Sequence, residues 1–391
     1  MTFDVARARR ETPGCSRVAH FNNAGSALPP TCVTDSLRAH LDLEAQIGGY
    51  EAEAAAEELI ADSYDAIATL IHCDRDEIAM VENATRAWDM AFYAMHFEPG
   101  DHILTGKAEY ASNVIAFLQI AKRTGARIEV VPDDEHGQID IGALRSMVDE
   151  RVKLIALTHV PTNGGLVNPA AEVGQVARAS GVPYLLDACQ SVGQMPINVE
   201  EIGCDFLSAT GRKFLRAPRG TGFLYVRRHW IERLEPPFLD LHAAQWVAPN
   251  QFTVRADARR FENWEHYVAG RIGLGVAVRY ALSWGLSAIR DRILILTEYL
   301  RARLSQVPGL TLRDKGVTNS AIITFTIRSE EPSDLAHRLS KAGFNVSVSV
   351  ASSTLYDMHE RGLASIVRVS PHYYNDFTEV DRLVEAISRA S

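Results

Sequence analysis

Lys213 lies in the run Ser208 to Phe214 (SATGRKF), and Asp187 closes the apolar run Tyr184 to Asp187, 26 residues upstream. A lysine amine on a tight loop can form a Schiff base with an aldehyde. A carboxylate at the end of a neighbouring strand can keep a pyridine nitrogen protonated, which makes the ring an electron sink. Their spacing suits the ends of two adjacent strands. The pair therefore points to a pyridoxal 5′-phosphate (PLP) enzyme in which Lys213 carries the cofactor and later acts as general base.

The other groups that this chemistry needs have candidates. Asn83 reads as the cap of a helix, so the amides of Ala84, Thr85 and Arg86 would form an anion site at its positive end. Thr210 and Arg212 flank the lysine and could reach the same phosphate; the alternative is a basic surface patch with Arg216 and Arg219. Gln190, three residues after Asp187, is a candidate for the cofactor's phenolic oxygen. Cys189 reads as a small strand-end residue, and His159 suits a core position as well as a catalytic one. Arg368 sits inside the apolar strand Val367 to Ser370, where a lone charge is costly. A substrate carboxylate would pair with it, and a local acid such as Asp376 is the structural alternative. Asn23 and Tyr50 complete the substrate-contact candidates, with Gly48 and Gly49 as a helix break or a simple turn. No metal site is expected.

These residues need a scaffold that brings strand ends together. Between Cys73 and Val226, short apolar runs (102–105, 128–131, 154–157, 184–187, 206–209 and 222–226) alternate with amphipathic stretches (113–124, 141–149 and 170–179). That pattern predicts an α/β fold whose mostly parallel sheet is covered on both faces, with ligands at the carboxyl ends of its strands. Residues 228–264 lack periodicity and read as irregular. Long helices follow over 273–284 and 288–304, then a smaller α+β pattern to the C-terminus. The expected division is an N-terminal arm (1–20), a large cofactor-binding domain (21–270) and a long helix with a small C-terminal domain (271–391).

The 391 residues are 47% hydrophobic and 23% charged, with a formal net charge of −9. Net negative charge argues against a nucleic-acid or acidic-membrane partner. The N-terminus lacks the apolar stretch of a signal peptide, so a cytoplasmic location is expected. The five cysteines are unpaired in spacing and read as reduced and unligated.

Together the lysine loop, the aspartate strand, Gln190, the Asn83 to Arg86 helix start and Arg368 resemble the class V aminotransferase family, from about Phe21 onward. That family includes cysteine desulfurases, selenocysteine lyases and isopenicillin N epimerase. The stretch from Glu44 to Ala52 also looks like the N-terminal part of the ergothioneine-pathway C–S lyases. The resemblance implies the PLP fold-type I architecture with a seven-stranded sheet. It also implies a homodimer, with Phe261 to Glu265 reaching the neighbouring subunit's site. Where desulfurases stack a histidine on the ring, this chain has Tyr110, which becomes the candidate for stacking or proton transfer. Thr162 falls where they use an asparagine near the ring oxygen.

Desulfurases carry a persulfide-forming cysteine on the loop that here reads Val348 to Thr354, and no cysteine follows Cys204. The expectation is therefore an amino-acid enzyme that is not a persulfide-forming desulfurase. Elimination of a C–S bond in a cysteine conjugate or sulfoxide is favoured, with Lys213 taking the α-proton. Transamination and epimerisation are the alternatives.

Overall fold

The computed structural model describes residues 3–389, so the first two residues of the expected N-terminal arm and the last two of the C-terminal region lie outside it. Its centre is a seven-stranded sheet. From one edge to the other the strands are Ile78–Val81, Gly222–Val226, Phe206–Thr210, Tyr184–Asp187, Val152–Thr158, His102–Gly106 and Arg127–Val131. Gly222–Val226 runs antiparallel to both of its neighbours, and the other pairings are parallel. The four strands Phe206–Thr210, Tyr184–Asp187, His102–Gly106 and Gly222–Val226 are buried at every position. That explains why their sequences read as continuous apolar runs, since a sheet covered on both faces has no polar side.

The observed strands and helices match the expected runs to within two residues at each end, except that the helix Val268–Trp284 starts five residues earlier than expected. Two elements depart from the sequence reading. Ile78–Val81 is a sheet-edge strand that the alternation did not single out. The nominally irregular stretch contains a hairpin, Ala244–Ala248 with Gln251–Val254. Its Trp246, Val247 and Phe252 side chains are exposed, so it has no core-facing side to leave a pattern in the sequence.

A second, antiparallel sheet has the order Leu310–Leu312, Ile323–Ile327, Ser365–Val369, Ser347–Val350. The helices Leu286–Leu304, Pro332–Lys341 and Phe377–Ser388 contribute Leu296, Leu300, Leu335, Leu339, Val380 and Leu383 to a core with Phe325, Val367 and Val369. The N-terminal segment stitches the two halves. Ala19–His20 pairs with Phe344–Asn345, Asn22 bridges to Ser370, and the amide of Ala24 donates to the Ser370 hydroxyl at 2.9 Å. The helix Thr31–Ile47 packs along Val268–Trp284. Among the described residues no single helix is long and apolar enough to cross a membrane.

Candidate active site

All parallel strands of the large sheet point their carboxyl ends at one edge, and a cavity of about 420 Å³ opens there. That volume falls in the roughly 300–1,000 Å³ range of small-molecule pockets. It is lined by Asn83, Ala84 and Thr85 after the first strand in chain order, Tyr110 and Asn113 after the second, and Thr158, Val160 and Thr162 at the end of the fourth. Asp187, Cys189 and Gln190 follow the fifth strand, and Thr210, Arg212 and Lys213 the sixth. Nine of the residues expected at the cofactor are thus neighbours in space.

The Lys213 loop is built to hold one shape. The Gly211 amide donates to the Thr221 carbonyl, and the Ala217 amide to the Gly211 carbonyl, both at 2.9 Å. Arg216, with a left-handed φ of 62°, closes the turn by donating its amide to the Lys213 carbonyl. Its guanidinium is not part of a surface patch. It is fully buried, bonds the Leu28 carbonyl, the Thr12 hydroxyl and the Tyr373 hydroxyl, and lies over the rings of Tyr280, Tyr373 and Tyr374. Underneath, Gly193 has φ 92°, and a Cβ there would fall 2.4 Å from the Phe214 carbonyl carbon. Gly193→Ala is therefore expected to displace the lysine loop, with a stability loss of about 1–3 kcal/mol and weaker cofactor retention. Thermal unfolding and a cofactor titration of the variant check this.

Asp187 is buried, and burial raises its carboxyl pKa while the nearby Lys213 charge pulls it back down. Its oxygens accept from the Cys189 amide at 2.8 Å and the Asn113 side chain at 3.1 Å. Gln190 donates to the Ala24 carbonyl, and its buried Oε1, beside the cavity, has no partner among the described residues. At the opposite wall the helix Ala84–Phe92 starts with Asn83 as its cap. Asn83 Oδ1 accepts from the Arg86 amide at 2.9 Å. That corrects one expectation, because the cap uses the Arg86 amide and leaves those of Ala84 and Thr85 facing the cavity. The Arg86 side chain is turned away, over the Phe238 ring and toward Asn263.

Arg368, on the central strand Ser365–Val369 of the small sheet, reaches across to the large one. Its Nη1 donates to the Thr162 hydroxyl, and Nη2 lies 3.5 Å from Asn22 Oδ1. Its buried Nε has no partner among the described residues, and burial pushes its pKa down to about 10, with the Arg212 charge adding to the effect. Asp376 is not its partner; that acid pairs with Arg9 and caps the last helix. Arg368 is a buried cation without a carboxylate among the described residues.

Other expected residues lie elsewhere. Asn23 is buried in a polar knot, donating to the carbonyls of Ser370 and His20 and accepting from the Tyr374 hydroxyl, and it does not line the cavity. Tyr50 is 73% exposed on the short helix Gly49–Ala55, which follows a break at Gly48 (φ 98°), and it too is outside the lining. Phe261 and Glu262 cannot extend to a neighbouring subunit. Phe261 is in the core, and Glu262 is bound to Arg271, Tyr64, His242 and the Met80 amide. Only Trp264 and Glu265 in that segment are exposed. His159 is buried, and burial lowers its pKa to about 4, so it is neutral.

Two residues of the site, Glu109 and Asn113, drew no role from the sequence. Glu109 is buried and accepts from Thr105, Thr158, Asn113 and the Tyr110 amide. A glutamate flanking a helix start would have been the one available signal.

A profile described as "Aminotransferase class-V" matches residues 19–383. The chain belongs to the class V aminotransferase family. A probable cysteine desulfurase of Xylella fastidiosa is 30% identical over 404 residues, covering 98% of this chain and 95% of that protein. A probable cysteine desulfurase of Methanothermobacter thermautotrophicus is 30% identical over 345 residues, covering 87% of this chain and 86% of its own. The solved cysteine desulfurase of Thermococcus onnurineus superposes with a TM-score of 0.92 at 24% identity, covering 100% of this chain and 98% of that one.

As a class V enzyme the protein depends on PLP, and the cavity suits it. Two helix-start amides, two threonine hydroxyls and an arginine meet the needs of a phosphate, a buried acid those of a ring nitrogen, and a lysine those of an aldehyde. The relatives overturn one expectation. Excluding cysteine desulfurases rested on the missing loop cysteine, yet near full-length relatives bear that name. Similarity along the whole chain carries more information than one loop position.

Proposed function

We propose that this protein is a desulfurase-type enzyme that takes sulfur from L-cysteine and releases alanine. The carrying observation is that Lys213 and Asp187 share one cavity while Arg368, a buried cation lacking an acid, stands at Thr162 on its wall. The names of the relatives supply the substrate class.

PLP, when bound, supplies the aldehyde that captures the amino group and the ring that makes bonds at the α-carbon labile. The Ala84 and Thr85 amides, with Thr210 and Arg212, would hold its phosphate. Asp187 would keep the ring nitrogen protonated, Gln190 and Thr162 would serve the ring oxygen, and Tyr110 would cover the ring. Arg368 receives the substrate carboxylate. Lys213 Nζ takes the proton from the α-carbon and returns it.

The sulfur step needs a thiol acceptor. The C–S bond of cysteine breaks, an S–S bond forms on the acceptor, and the thiol proton ends on the alanine methyl group. Burial raises the pKa of the Cys189 thiol, and the facing loop offers Ser352, Ser353 and Thr354. The acceptor in this reading is therefore a thiol from a second molecule. Holoenzyme given L-cysteine and dithiothreitol is expected to yield alanine and sulfide in equal amounts. Pyruvate and ammonia in place of alanine would overturn the proposal. The protein is further read as a cytoplasmic homodimer. The exposed Trp246, Phe252 and Trp264 side chains support the dimer, as apolar surface that a second copy would cover.

A further inference from the structure

Glu109 is a fully buried carboxylate with no cation bound to it among the described residues. Around it converge the Thr158 amide at 2.9 Å, the Thr158 hydroxyl, the Thr105 hydroxyl at 3.1 Å, the Tyr110 amide at 3.0 Å and Asn113 Nδ2 at 2.7 Å. Asn113 Nδ2 has a second hydrogen, and it goes to Asp187 Oδ2 at 3.1 Å. One amide nitrogen thus bridges two carboxylates, which fixes its orientation because both neighbours can only accept when ionised. A buried negative charge of this kind is costly unless a positive charge arrives nearby. The place where one would arrive is the far side of Asp187, in the cavity.

We propose that Glu109 is a positioning residue for the cofactor: through Asn113 it fixes the Asp187 carboxylate under the ring nitrogen, and through the Tyr110 amide it fixes the side chain that covers the ring. This rests on the reading of Asp187 as the acid at the ring nitrogen. Burial, followed by the Asp187 charge, raises the Glu109 pKa to about 7 against the pull of its hydrogen bonds. The carboxylate therefore changes charge within the working pH range. The other ionisable groups facing it are Asp187 and Tyr184, two strands away in the sheet, and Tyr110 on its own turn. Lys213 lies beyond Asp187, and Lys107 is engaged by Glu360. Below the Glu109 pKa the ring nitrogen has one negative neighbour, and above it two, so its proton is held more firmly as pH rises through that value.

The test uses PLP-loaded protein with the Lys213→Ala substitution, which removes the lysine's own titration from the cofactor spectrum. In that background Glu109→Gln is expected to weaken PLP binding about tenfold and to abolish the change in cofactor absorbance near pH 7. Glutamine has one acceptor oxygen for five donors, and its amide opposes that of Asn113. Asn113→Ala, which leaves Glu109 in place, is expected to weaken binding similarly, and melting of the cofactor-free proteins checks that both fold. Wild-type affinity and titration in either variant, with Asp187→Asn losing PLP, would overturn the role of Glu109 alone. If Asp187→Asn also binds PLP normally, the reading of Asp187 fails and this inference falls with it.

Discussion

Replacing Lys213 with alanine is expected to lower turnover by on the order of 10²–10⁴-fold from lost proton transfer alone, with a further loss from the missing covalent link. The side chain is half-buried and takes no part in the loop's fold, which rests on the Gly211, Arg216 and Ala217 backbone bonds. The variant should therefore melt close to the wild type. Borohydride should reduce the cofactor onto the wild-type chain and fail to do so in the variant. A Lys213→Ala protein that keeps its rate and its borohydride-stable label would remove Lys213 from the mechanism.

Arg368→Met is expected to separate binding from stability. A buried charge interaction lost from one side costs about 2–5 kcal/mol, or roughly 30- to 4,000-fold in affinity, so KM for L-cysteine should rise within that range while kcat falls much less. In the absence of substrate the same change removes a buried charge whose Nε has no partner. Methionine keeps most of the apolar stem, so the unliganded variant should melt at or above the wild-type temperature. Burial lowers the Arg368 pKa only to about 10, so the guanidinium is charged at neutral pH and its contribution to binding should not vary across that range. An unchanged KM with a lower melting temperature would make Arg368 a structural residue instead.

Much of the scaffold was legible because physics writes it locally. Strands buried on both faces leave continuous apolar runs, and the helices between them leave amphipathic ones, so Lys213 and Asp187 could be assigned to neighbouring strand ends. Long-range pairings left no comparable mark. Glu109 is held by Thr158, 49 residues away, and its significance lies in that approach rather than in its own neighbours. At the helix start the sequence gives a cap and three amides, but not that the cap takes one of them. Asn23 and Phe261 to Glu262 were read by position, whereas their partners, Tyr374 and Arg271, were decided by tertiary packing. The reaction outcome was least legible, since a sulfur acceptor can come from outside the chain.

The arrangement at Ser370 has a consequence for selectivity. Lys213 follows a strand of the large sheet and Arg368 lies on one of the small sheet, and Asn22, Asn23 and Ala24 fasten the two at Ser370, two residues beyond Arg368. With Lys213 and Arg368 in the roles proposed above, the seam would act as a calliper whose jaws are an amine and a guanidinium. Its opening measures the span from carboxylate to α-carbon, which all α-amino acids share, and leaves the side chain beyond the jaws to be judged by other surfaces.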